Sequence, residues 1–147
     1  MYDKTAICNM LPHADSMCLL DAVESWNTQQ ITCSSRSHLL PNNPLRNVDR
    51  LPILALLEYG AQAMAVHGCL LARASGVSLQ EGYLAALRDV KVAQGDLALI
   101  EDTLIIRAEK IHADSASMIY KLAIRAGAWQ LASGRATAVG KFTQGEQ

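Results

Sequence analysis

The chain has 147 residues, 13 basic and 14 acidic, with a formal net charge of −1 and a pI near 6.4. That length suits one domain with a proper core, and the charge balance leaves no footprint for nucleic acid or an anionic membrane surface. Cys8, Cys18, Cys33 and Cys69 show no C-x-x-C and no Cys/His pairing at metal-ligand spacing, and MYDKTAICNM lacks the regions of a signal peptide, so a cytoplasmic protein with reduced thiols and no metal is expected.

Residues 1–16 read as irregular, with Pro12, His13 and Asp15 suggesting a turn. Met17–Trp26 and Gln30–Ser35 read as strands, and Ser37–Arg50, with Pro41, Asn42, Asn43, Pro44 and Asn47, as loop. Leu51–Gly76 is apolar nearly all round and predicts one long helix, with Asp49 as cap, Pro52 in its first turn, and Arg73 and Gly76 at its end. Glu58, Gln62, His67 and Arg73 make membrane insertion costly, so a helix buried in protein is expected rather than a span. Tyr83–Val92, Thr103–Ile111, Ser117–Arg125 and Trp129–Phe142 then predict antiparallel strands, with Gly127 turning the last hairpin. Along Ser117–Arg125, Met118, Tyr120, Leu122 and Ile124 share one face. In the final strand one face is small (Ala132, Gly134, Ala136, Ala138), as needed where a sheet closes over a helix.

On the helix, Glu58 and Gln62 lie one turn apart on one face, beside a stripe of small residues, Ala61, Ala65, Gly68 and Ala72. Such a stripe lets another backbone or an acyl chain approach. His67 falls on roughly the opposite side, so Glu58 and His67 do not make an acid/base pair within one helix. Glu58 in so apolar a setting calls for a hydrogen bond or a function. Gln62 reads equally as its structural partner or as catalytic support. His67 reads as a core or interface histidine and His112 as solvated, while Trp26 and Trp129 read as packing residues.

Strands, a long helix, then hairpin-linked strands give an α+β chain with an antiparallel sheet wrapped round the helix. Leu11-Pro12-His13 followed by Met17-Cys18-Leu19-Leu20-Asp21, together with Glu58-Tyr59-Gly60-Ala61-Gln62, resembles the 3-hydroxyacyl-acyl-carrier-protein dehydratases. The nearest branch is the set of dehydratase-like proteins, with an E-Y-x-A-Q helix motif, that accompany aryl-polyene pathways. The resemblance covers about Leu11 to Phe142. It implies a single hotdog domain, a dimer with itself or with another hotdog subunit, acyl thioester substrates on acyl carrier protein or coenzyme A, and no cofactor. One departure stands out. The family's catalytic His lies in H-F-P-G, fourteen residues before the Glu; here that position is Pro44.

Removing water from a 3-hydroxyacyl thioester takes a base for the α-proton and an acid for the departing hydroxyl. Imidazole suits the first role and a desolvated carboxyl the second. Amides near Leu51–Leu54 could polarise the thioester carbonyl. By resemblance Glu58 is the acid and the base is missing; His38, at the start of the loop, is a minor candidate to supply it. Three readings follow: a dehydratase subunit whose Glu58 works with a partner's His, a catalytically silent acyl-binding or scaffolding subunit, and a thioesterase using Glu58 and water.

Overall fold

The computed structural model describes residues 1–11, 17–48, 50–114 and 117–144, with side chains described outside 77–83 and 140–144. The Pro12-His13 part of the opening motif and the expected cap Asp49 lie outside the described residues. The observed order is β1 (Tyr2–Asp3), α1 (Lys4–Met10), β2 (Ala22–Trp26), β3 (Gln30–Ser35), α2 (Leu56–Ala74), β4 (Val77–Val92), β5 (Leu104–Ala113), β6 (Ser117–Ala126) and β7 (Trp129–Gln144). One antiparallel sheet runs β1-β2-β3-β5-β6-β7-β4, and α2 lies across it: the hotdog arrangement.

Alternation along the strands sets the inner face. Leu104, Ile106 and Ala108 of β5 and Tyr120, Leu122 and Ile124 of β6 are buried, joined by Ala132 and Ala136 of β7. Against them α2 buries Leu56, Tyr59, Ala63, Val66, His67 and Leu70. The small residues of β7 and α2 let the layers meet closely. A Cβ added at Gly60 would stand 2.8 Å from Leu122 Cδ1, so a larger residue there has to displace Leu122. Gly127, with φ +60°, turns the β6–β7 hairpin.

Several expectations shift. Lys4–Met10, read as irregular, is a short helix capped by Asp3, whose carboxylate accepts the Ala6 N–H at 3.0 Å. The central helix starts later than expected, because Ile53–Ala55 forms a 3-10 turn ahead of Leu56. It is also not wrapped on every side: Leu54 is 57% exposed, Glu58 is exposed, and Ala61 and Ala65 are half-buried. Residues Ile53–Ala74 have the length and hydropathy of a membrane span, yet most of that window is buried inside the protein.

The expectation of four free thiols is also corrected. Cys8 of α1 and Cys18 form a disulfide, with Cα atoms 5.7 Å apart, because α1 folds back against the Met17–Leu20 segment. Cys33 stays free and buried, and burial pushes its thiol up to about 12.

The two sheet edges differ. β1 is two residues long, whereas β4 is sixteen and leaves residues 84–92 exposed, among them Leu84, Leu87, Val90 and Val92.

Candidate active site

Glu58 sits in the first turn of α2, on the open face that also carries Leu54, Ala61 and Ala65. Gln62 lies one turn on and is buried. Its amide Nε2 donates to Glu58 Oε1 at 3.5 Å and to the Met17 carbonyl, and its Oε1 accepts the Leu19 N–H at 2.8 Å. Gln62 therefore ties the carboxylate to the segment before β2. That also explains why the strand expected from Met17 starts only at Ala22: the backbone of Met17 and Leu19 bonds to a helix side chain instead of a neighbouring strand.

The same segment is fixed from its other side. The Leu19 carbonyl accepts from Ser35 Oγ at 2.6 Å and from Ser37 Oγ at 2.7 Å. Ser37 Oγ lies 2.8 Å from the Tyr59 hydroxyl, and Asn43 Nδ2 donates to that hydroxyl at 3.1 Å and to the Ser37 carbonyl at 2.9 Å. Each hydroxyl has one proton. With both serine protons directed to Leu19, Tyr59 donates to Ser37 and accepts from Asn43. Burial raises the Tyr59 phenol above its ordinary value, which keeps it protonated as that donor. The network thus runs from the 37–43 loop, through Tyr59 and Leu19, to Gln62 and Glu58.

Both candidate histidines are fully buried, and among the described residues neither bonds to Glu58 or Gln62. His67 points into the core on the far side of α2. Its Nδ1 lies 2.5 Å from the Tyr120 hydroxyl and its Nε2 2.7 Å from the Asn27 carbonyl, and Trp26 and Tyr120 stand edge-on to the ring. Nε2–H donating to Asn27 and Nδ1 accepting from Tyr120 describe a neutral ring, and burial lowers its pKa accordingly. His38 Nε2 is 2.7 Å from the Ile100 carbonyl, while Nδ1 is buried without a hydrogen bond among the described residues. Burial first, then the Arg36 and Arg46 guanidiniums, hold it below the usual imidazole value.

The remaining site expectations divide. Gly68 and Ala72 of the stripe are buried in the protomer, and Ala61 and Ala65 are half-open. The Leu51 amide, suggested as a carbonyl donor, already donates to Asp96 Oδ1 at 2.8 Å. Pro44 is exposed, in the loop that Asn43 bolts to Tyr59. Trp129, expected to pack, is 52% exposed. The sequence flagged Tyr59 only as part of a motif; nothing in it marked Ser35, Ser37 or Asn43. Among the described residues no group of three His, Cys, Asp or Glu side chains could hold a metal.

The fold is shared with solved structures of low identity. A chain of the dehydratase heterocomplex ApeI:P from Xenorhabdus doucetiae superposes with a TM-score of 0.82 at 21% identity, over 92% of this chain and 90% of that one. A mutant thioesterase from Pseudomonas aeruginosa gives 0.66 at 11%, over 97% and 96%. The PaaI protein of the Escherichia coli phenylacetic acid degradation operon gives 0.62 at 13%, over 92% and 90%. No curated protein sequence matches the chain. The family model described as ApeP dehydratase matches residues 5–144, nearly the whole length, and on that match the chain belongs to the ApeP-like family.

Proposed function

We propose that this chain is the carboxylate-bearing half of a two-subunit 3-hydroxyacyl thioester dehydratase, and that the imidazole half comes from a second hotdog subunit. One observation carries the reading: Glu58 stands on the open, otherwise apolar face of α2, oriented by Gln62, while both candidate histidines in its own protomer are turned into the core. The heterocomplex described for ApeI:P is a precedent for pairing two such subunits. The partner joins along β4, the long exposed edge, and covers the face around Leu54, Glu58 and Ala61. Covering that face shuts bulk water away from the carboxyl.

In the assembled site the partner's imidazole removes the proton α to the thioester carbonyl. The electrons of that C–H bond become the C=C bond as the C3–O bond breaks. The hydroxyl leaves as water with the proton of Glu58, which is returned from the imidazolium through solvent. Gln62 holds the carboxyl at the hydroxyl while the acyl chain runs along the Ala61 and Ala65 side of the helix.

The test follows enoyl thioester absorbance for three samples: the chain alone, the chain with a His-bearing hotdog partner, and the Glu58→Gln chain with that partner. The expected result is activity in the second sample only, since an amide cannot supply the acid proton. Full activity of the chain alone overturns the shared site. Activity that survives Glu58→Gln makes the chain a silent acyl-binding subunit, and hydrolysis of acyl-coenzyme A by the chain alone, lost in Glu58→Gln, makes it a thioesterase.

A further inference from the structure

The outer face of the sheet, turned away from α2, carries a charge pattern that the proposed chemistry does not use. Register places Arg88 of β4 opposite Arg135 of β7, and Arg135 opposite Lys121 of β6. Three cations therefore stand in one row across three neighbouring strands, closed by Glu109 of β5 opposite Lys121. Lys91, Arg107 and Arg125 belong to the same face, since each is paired with, or two residues from, an outward-facing position of that ladder. All six cations are exposed.

Like charges directly opposite one another repel across a sheet, and a face built for solubility alone alternates its signs. Neutralisation from within the chain is slight. Among the described residues the one ion pair is Lys4–Asp21, at the other end of the sheet, so Glu109 and Lys121 face each other without closing a salt bridge. Arg125 donates to the Gly127 carbonyl at 2.9 Å and Arg107 to Gln30, which leaves the other donors of each guanidinium to the outside.

The face also has a shape. Thr32, Arg107, Arg125 and Gln130 line a depression of about 230 Å3 that has Ile105 and Ala123 beside it. Two guanidiniums flanking an apolar floor fit a carboxylate on a short apolar stem, the geometry of a Glu or Asp side chain. The charged area spans four strands, β5 to β4, which is about 14 Å at the ordinary strand spacing. That is the width of a protein surface rather than of a single small anion.

We propose that this outer sheet face is a docking surface for an acidic protein, one of whose carboxylates enters the depression between Arg107 and Arg125. The surface lies on the opposite side of the sheet from Glu58, so a partner seated there leaves the helix face clear for the second hotdog subunit. Docking here places the protein within a larger assembly and does not deliver substrate to the carboxylate.

The test uses the full chain and a fluorescein-labelled decaglutamate peptide in fluorescence anisotropy. Arg107 and Arg125 lie on β5 and β6, away from the β4 edge, so charge reversal there reports on the face and not on edge pairing. The proposal expects Arg107→Glu with Arg125→Glu to bind about tenfold or more weakly, while Lys4→Glu binds as the parent does. Binding of the parent should also fall between about 0.1 M and about 1 M salt, as the screening length shrinks from about 10 to about 3 Å. Circular dichroism melts confirm that the reversed chain folds, and if it does not, Arg107→Gln with Arg125→Gln replaces it. Equal binding by parent and doubly substituted chains overturns the proposal. So does tighter binding of a short DNA duplex, or of vesicles containing phosphatidylserine, than of decaglutamate at matched charge.

Discussion

Gln62 is the most informative position to perturb, because one amide serves three groups at once. In Gln62→Leu the Leu19 N–H loses its acceptor and the Met17 carbonyl its donor, both under the same helix. A buried polar group left unpaired costs about 1–3 kcal/mol, and leucine at a position only 7% exposed returns part of that through apolar burial. The net expectation is about 2–4 kcal/mol of destabilisation, which for a chain of this size lowers Tm by roughly 5–15 °C. Gln62→Glu separates the two halves of the bond set. A carboxyl oxygen still accepts from Leu19, but only a protonated carboxyl can donate to Met17. The folded state therefore favours the neutral form and raises the introduced group's pKa, with the Glu58 carboxylate beside it adding to the effect. The stability this contributes is fully present below the unfolded pKa of about 4.3 and is lost as pH rises through the raised folded value. Melts of the parent, Gln62→Leu and Gln62→Glu from about pH 4 to 8 test this, with Gln62→Glu closest to the parent at the acid end. If Gln62→Leu melts with the parent, or if Gln62→Glu loses no ground relative to it as pH rises, the amide is not the tie described here.

Three further outcomes follow from the packing. His67 is neutral in the fold with its pKa lowered by burial, so its contribution is present above the unfolded value of about 6.5 and is lost as pH falls through the lowered folded value; urea midpoints should decline across that range in the parent and less so in His67→Gln. Reducing Cys8–Cys18 with a dithiol releases a constraint spanning ten positions, which corresponds to about 2–3 kcal/mol and a fall in Tm of roughly 5–10 °C, measured with and without reductant against a Cys8→Ser control. Ala65→Leu adds bulk on the open side of α2, so Tm should stay within about 2 °C of the parent while acyl-thioester binding or partner binding weakens; the larger loss typical of overpacking, with binding unchanged, would make the stripe ordinary core.

The fold was legible because its signals are long and periodic. Tyr120, Leu122 and Ile124 alternate inward as the period of two requires, and the Leu51–Gly76 reading captures α2 apart from its 3-10 first turn. What escaped was short or non-local. Lys4–Met10 is seven residues, too few for a helical period to stand out, and its cap is a single aspartate. The Cys8–Cys18 pairing depends on how α1 folds back, which spacing alone does not encode. Glu58 and Gln62 could be placed on one face from their separation, but their environment could not. Hydropathy marks which side chains are apolar, not which of them the chain's own sheet reaches, so the open side of α2 and the exposure of Glu58 appear only in three dimensions. Ser35, Ser37 and Asn43 gather from different turns of the chain through bonds to one tyrosine and one carbonyl, an arrangement with no sequence period at all.

The long β4 edge has a consequence for choice of partner. Its pairing with β7 slips between Leu79 and Glu81, between Leu84 and Ala86, and between Arg88 and Lys91, and Asp89 within the last slip has φ +54°. A straight, regular edge accepts any extended strand, including an identical copy, in many registers. An edge bent at three places keeps its free N–H and C=O groups in line only over short runs, and a strand that bends at the same places can follow it further. Two irregular edges that match each other can therefore exclude generic strands without any specific side-chain contact. In a cell that holds several hotdog proteins at once, the backbone of β4 would act as the key that keeps subunits from mixing.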